Sequence, residues 1–477
     1  MRLRLFTIHC SLFTAFLLLF VVCAGCSEKV KEPAVAGTFY PSDEKTLKEM
    51  VNGFLSKAET KPADGKLIAL ISPHAGYQFS GQVAAYAYKN LAGRDISTVI
   101  LIGPSHHKAF NGASVYASGS MKTPLGKIKI DEKIAKSLIN EKADIGFYPD
   151  AFEKEHSIEV QLPFLQQTLK DFRIVPVLVG APTRQSFDFL ADRLADILKT
   201  DEKTIIVAST DLSHYHDYDT AVKMDRKIIE TIARMSVNDV ESYLMTGECE
   251  MCGGYPVLLT MVAAQKAGAT NGLIYKYANS GDVTGDSSRV VGYGAIGLYK
   301  STLTKADKDE LIALAKNTII NYVTYGKIPA VEIKNPKFTA GGATFVTITR
   351  NGNLRGCIGN LQPVLPLYQS VIHNAVSACS RDSRFPPMIK EELKNIEIEI
   401  SILSPFEPVK DIKQIIIGKH GLFMVKGKNS GLLLPQVATQ FGWDTHTFFE
   451  NLSLKAGLPK DAWRDAELFS FTAEIIK

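Results

Sequence analysis

Between Leu67 and about Tyr299 the chain repeats one pattern: a short apolar run, a loop rich in Gly, Pro, Ser or His, then a segment whose apolar residues recur with helical period. The apolar runs at Leu67 to Ile71, Thr98 to Ile102, Ile174 to Val179, Thr204 to Ala208 and Val290 to Leu298 mostly lack polar alternation. Such runs predict strands buried on both faces, and strands alternating with helices predict an α/β unit.

Around Ser301 to Lys308 the chain turns polar and lysine-rich, and the pattern changes. Ala343 to Thr349 and Leu354 to Ile358 flank Asn351-Gly352-Asn353, a hairpin signature because Asn-Gly supplies the positive φ of a tight turn. Ile396 to Leu403 alternates acid and isoleucine, and Leu422 to Val425 and Leu432 to Leu434 flank a Gly-Lys-Asn-Ser-Gly turn. With helices predicted at about Asp309 to Tyr325 and Pro366 to Ser380, the second unit is α+β.

The first segment belongs to neither unit. Arg2 and Arg4 precede an apolar run from Leu12 to Val22, the charged and hydrophobic regions of an export signal, and the run is too short for a bilayer span. It ends in Val22-Cys23-Ala24-Gly25-Cys26-Ser27, which resembles a bacterial lipobox, with Cys23 standing where that motif usually carries leucine. The expected division is a lipoprotein signal peptide over 1–25, an α/β unit over 26–300 and a smaller α+β unit over 301–477. Cys26 would be lipidated and would anchor the chain to a membrane facing an extracytoplasmic space.

Composition adds mainly exclusions. With 54 basic and 50 acidic side chains spread along 477 residues and a net charge of +4, no basic stripe points to nucleic acid. Beyond the leader and Cys26 the cysteines are Cys249, Cys252, Cys357 and Cys379, too few for a disulfide scaffold. Cys249-Glu250-Met251-Cys252 could close a local disulfide in an oxidising compartment, whereas a zinc ribbon would need a second pair.

The chemistry gathers in the first unit. Histidine-bearing loops directly follow predicted strands: Pro73-His74-Ala75-Gly76-Tyr77, Gly103-Pro104-Ser105-His106-His107 and Ser209-Thr210-Asp211-Leu212-Ser213-His214. In open α/β sheets such loops converge outside the carboxyl ends of the strands. Imidazole is a common ligand for zinc, copper and iron, and Asp211 adds an anionic oxygen. Cys252 precedes Gly253-Gly254-Tyr255-Pro256 and an apolar segment, a position near a helix N-terminus that favours thiolate. Glu155-His156-Ser157-Ile158-Glu159 reads as helical, which would put His156 and Glu159 on one face as residues orienting ligands, with His107 as a neighbour of His106. A Ser-His-Asp hydrolase drawn from Ser105 or Ser213 with His214 and Asp211 lacks a Gly-x-Ser-x-Gly elbow.

These motifs, with Pro33-Ala34-Val35-Ala36-Gly37-Thr38-Phe39-Tyr40-Pro41, together resemble the MEMO family over about Glu32 to Lys300. The resemblance implies the LigB-like fold of class III extradiol ring-cleavage dioxygenases, with two histidines and a cysteine in the pocket where those enzymes hold ferrous iron. Matched residue by residue, those are His74, His106 and Cys252, with Asp211 and His214 as further pocket residues acting as ligand or general acid and base. It implies one transition-metal ion, iron or copper. Two histidines and a thiolate make a softer site than two histidines and a carboxylate, which admits zinc as well and argues against carrying over ring cleavage.

About Lys305 to Lys477 resembles the AMMECR family through Asn353-Leu354-Arg355-Gly356-Cys357-Ile358-Gly359, Arg384-Phe385-Pro386-Pro387 and Gly431-Leu432-Leu433-Leu434-Pro435-Gln436-Val437-Ala438. Arg355 and Cys357 could form a reactive thiol beside a cation, or the cysteine could be a packed residue of a structural turn. The two families often accompany a radical-SAM protein, so such a partner is implied. The resulting expectation is a metal-binding protein with redox or oxygenase-like chemistry, set against a noncatalytic ligand- or protein-binding module and a metal chaperone.

Overall fold

The computed structural model describes residues 29–61, 63, 65–328, 330–333 and 335–477. The export signal and Cys26 lie outside these residues. Among the described residues no helix is long and apolar enough to cross a membrane.

The first unit is built on a mixed sheet whose centre is four parallel strands, in the order Lys66–Ser72, Thr204–Ser209, Thr98–Pro104 and Arg173–Val179. Their residues are almost wholly buried, as the unbroken apolar runs predict. Val290–Lys300 pairs antiparallel with Lys66–Ser72 and also with Asn271–Asn279. Helices Tyr77–Lys89 and Gly254–Lys266 pack on these strands, the second among the most apolar of the chain.

Register fixes where the loops emerge. Ser72 lies opposite Ser209, and Pro104 opposite Val179, so the strands end at one edge. His74, His106 and Asp211 each stand two residues beyond the last residue of their strand. The parallel core therefore delivers all three to one place before any side chain is considered.

One predicted element is corrected. Glu155 and His156 are not helical; a turn follows them, then a single 3₁₀ turn at Glu159–Gln161 and a helix at Leu162–Thr168 with Pro163 in its first turn. The Glu155 carboxylate accepts from the backbone N–H groups of His156 and Ser157, a local arrangement that competes with helix. His156 and Glu159 consequently do not share a face.

The strand Val290–Lys300 closes the first unit, and the helix Lys305–Tyr325, capped by a reciprocal Thr304–Asp307 pair, opens the second. Ala343–Arg350 and Asn353–Gly359 form the hairpin, with Arg350 opposite Asn353 and positive φ at both Asn351 and Gly352. Ile396–Leu403 pairs on the other side of Ala343–Arg350, and helix Leu367–Ser380 covers this sheet. A second sheet contains Gly421–Lys426 and Asn429–Leu433, over its own core around Phe448, Phe449 and Leu452. The units touch through the Gly341 N–H, which donates to the Arg234 carbonyl at 3.2 Å, and through Lys199 and Glu407 at 2.6 Å.

Candidate metal centre

His74 is 2% exposed and held by a network that sets its tautomer. The Ser209 hydroxyl spends its single proton on the Ser157 carbonyl at 2.6 Å. It must then accept from His74 Nδ1 at 2.8 Å and from Gln161 Nε2 at 2.8 Å. Nδ1 of His74 thus carries hydrogen, and the Nε2 lone pair is left facing Cys252 Sγ at 3.1 Å. Burial first, then the neighbouring His106 and His156, hold the His74 pKa well below its usual value, so the ring is neutral.

Glu155 does the same for a second imidazole. Its Oε1 accepts from His106 Nδ1 at 2.9 Å and from the N–H groups of His156 and Ser157 at 2.9 and 2.8 Å, while Oε2 accepts from the His106 N–H at 2.5 Å. Burial opposes the charge, but the hydrogen bonds from His106 and Ser157 outweigh it and hold the carboxyl at about 2. Since an ionised carboxylate can only accept, His106 also presents Nε2.

The third imidazole is His156, stacked on His106 with centroids 4.6 Å apart and edge-on to His74 at 5.4 Å. Burial lowers its pKa to about 4. Ligand atoms of His74, His106 and His156 lie within 4.8 Å of one another, a spacing that one metal ion can bridge. Cys252 Sγ adjoins this group through His74 and accepts from the Asp211 N–H at 3.2 Å.

Asp211 holds the floor of the site. Its Oδ1 accepts from the N–H groups of His74 and Ala75 at 2.8 and 3.3 Å, and Oδ2 stands 3.9 Å from His74 Nε2. Burial raises its pKa to about 7, where a carboxyl holds or releases a proton near neutral pH. His214 donates from Nδ1 to the Leu212 carbonyl at 2.8 Å and is partly buried at the rim. His107 is exposed, its ring 6.3 Å from that of His156.

The geometry changes several assignments. His156 stands among the potential ligands and not behind them. Glu159 makes no hydrogen bond to the histidines: it binds the chain around Ala34 to Tyr40. The residue that orients imidazoles is Glu155, overlooked because an acid beside a histidine reads as the first turn of a helix. Cys252 is not a helix-stabilised thiolate, since burial and then the Asp211 charge push its pKa up to about 12. Cys249 and Cys252 are both free thiols, Cys249 donating to the Met224 carbonyl. In the second unit, Arg355 makes a two-pronged pair with Glu392 at 2.6 and 2.9 Å, which spends its charge away from Cys357. Cys357 Sγ accepts from the Thr347 hydroxyl at 3.3 Å, and its N–H donates to Asp382 at 2.8 Å.

Residues 31–297 match the family model described as Memo-like protein. The chain belongs to the Memo-like family. Residues 312–476 match the AMMECR1 model, so a Memo-like α/β unit is followed by a smaller α+β unit of AMMECR1 type. The Memo-like region is similar to a MEMO1 family protein of Methanopyrus kandleri, 39% identical over 276 residues, 56% of this chain and 98% of that one. It is also similar to a MEMO1 family protein of Methanobrevibacter smithii, 38% identical over 285 residues, 57% of this chain and all of that one. An uncharacterized Pyrococcus horikoshii protein of known structure is 37% identical with a TM-score of 0.34, covering 35% of this chain and 88% of that one.

Proposed function

We propose that the Memo-like unit binds one transition-metal ion through His74, His106 and Cys252, with His156 as a further imidazole donor, and that it supports redox or oxygenase-like chemistry. The observation that carries this reading is the pair of fixed tautomers beside a clustered donor set: Ser209 and Glu155 each occupy the Nδ1 side of a histidine and leave its Nε2 without a hydrogen to donate, and ligand atoms of His74, His106 and His156 lie within 4.8 Å of one another. The donor set fits such an ion. Neutral imidazoles are ready ligands, and a sulfur 3.1 Å from His74 Nε2 suits copper or zinc better than an all-oxygen site would.

When bound, the ion would supply Lewis-acid or redox chemistry. The protein's part is to hold it and to manage protons: Asp211 can accept one beside His74, and the Cys252 thiol loses its own on binding. Cys252 and Ser105 also line a cavity of about 1420 Å³ that extends past Phe110, Arg184 and Tyr255. The cleft is open to solvent and meets the proposed donor set at Cys252, with none of the three imidazoles in its lining, so a substrate would approach the centre from the sulfur side.

A radical-SAM partner, export and a lipid anchor at Cys26 complete the proposal. Metal analysis of full-length protein purified without chelator tests its core. About one equivalent of iron, copper or zinc is expected, and less than about a tenth of an equivalent of any transition metal would favour a noncatalytic binding module. Transfer of the ion to an acceptor without consumption of oxygen or peroxide would identify a chaperone.

A further inference from the structure

Glu159 is 3% exposed, yet none of its hydrogen bonds reaches the histidines. Its Oε1 accepts from the Val35 N–H at 2.9 Å and the Tyr40 hydroxyl at 2.7 Å; its Oε2 accepts from the Ala34 N–H at 2.7 Å and Lys31 Nζ at 3.2 Å. A single buried carboxylate thus ties down one segment at both ends. Between those ties the chain makes a tight turn, Gly37 at φ +87° donating to the Tyr40 carbonyl at 2.7 Å. Phe39 sits in this turn, its carbonyl fixed by the Tyr77 N–H at 2.8 Å.

The Phe39 ring lies against the His156 imidazole, centroids 4.6 Å apart and planes at 41°. His106 stacks on the same imidazole, also at 4.6 Å and nearly parallel. His156 is therefore held between one ring that belongs to the centre and one that belongs to the turn. Its Nδ1 is 3.4 Å from Glu155 Oε1, longer than the 2.9 Å bond that orients His106. Ring packing takes up what the weaker polar tether leaves free.

We propose that Glu159 is a positioning residue of the metal centre, acting through the turn it anchors to lay Phe39 on His156 and fix the rotation of that imidazole. This rests on the reading of the centre as a metal site. Residues that orient a ligand from behind are commonly worth 10- to 100-fold in metal affinity.

The test is titration of Co(II) into the full-length chain, followed by its visible absorption, for the parent protein and for Glu159→Gln, Phe39→Ala and Phe39→Tyr. Expected are about tenfold weaker binding and an altered ligand-field spectrum in Glu159→Gln and Phe39→Ala, with Phe39→Tyr restoring both. Loss of thermal stability alone, with parental affinity and spectrum, would overturn the proposal. Should Glu159→Gln fail to fold, Phe39→Ala decides, since it leaves the anchoring bonds in place. If the parent protein takes up no Co(II), the metal reading itself fails and this inference falls with it.

Discussion

Replacing Glu155 by glutamine keeps the shape of a buried side chain while removing the charge that accepts hydrogen bonds from His106, His156 and Ser157. Its pKa of about 2, against 4.5 for a free side chain, corresponds to about 3 kcal/mol of native-state preference for the carboxylate. Because the folded pKa is the lower one, this stabilisation is fully present above about pH 4.5 and is lost as pH falls toward 2. Glu155→Gln should therefore destabilise the first unit by about 3 kcal/mol at pH 7 and by about 2 kcal/mol at pH 3.5. For a unit of this size the thermal midpoint should fall by about 6–12 °C at neutral pH. Both tryptophans, Trp443 and Trp463, lie in the second unit, so tryptophan fluorescence follows that unit alone and far-UV circular dichroism follows both. Urea melts read by the two signals isolate the first unit. A deficit below about 1 kcal/mol at pH 7, or one that grows on acidification, would refute the argument that this carboxylate is held ionised by the loops it joins.

Metal uptake at neutral pH should release about one proton per ion, because the Cys252 thiol is protonated in the free protein, and affinity should rise with pH; calorimetric titration in two buffers of different ionisation enthalpy checks this. Cys252→Ser should weaken binding by more than tenfold and abolish any sulfur charge-transfer absorption, and unchanged loading would remove the sulfur from the ligand set. Gly292→Ala should cost at least about 2 kcal/mol, since a Cβ there would stand 1.9 Å from Asp225 Oδ2 in a buried site, and denaturant melts should show it. Arg355→Ala should destabilise the second unit by about 2 kcal/mol while leaving Cys357 alkylation within about twofold, because the Glu392 pair and not the thiol occupies the guanidinium.

The strands of the first unit were legible because buried parallel strands read as unbroken apolar runs, and the convergence of their loops follows from that arrangement alone. His74, His106 and Asp211 could be singled out for this reason. The stretch from Glu155 to Glu159 could not, because its conformation is decided by what the Glu155 carboxylate finds across the fold at His106, 49 residues away. The state of Cys252 is not legible in the sequence for a related reason. A helix start is a local signal, whereas burial and the Asp211 charge arise from residues distant in the chain. In the second unit the Asn-Gly hairpin was plain, but the partner of Arg355 was not: Glu392 lies beyond a helix and a loop.

The most direct test is anomalous scattering from a crystal of the metal-loaded chain, measured on either side of the absorption edges of iron, copper and zinc. The account predicts one peak bonded to Nε2 of His74, Nε2 of His106 and Sγ of Cys252, with a ring nitrogen of His156 as a further donor. A loaded protein whose peak lies elsewhere, or whose His74 and His106 rings turn away from the ion, would contradict it.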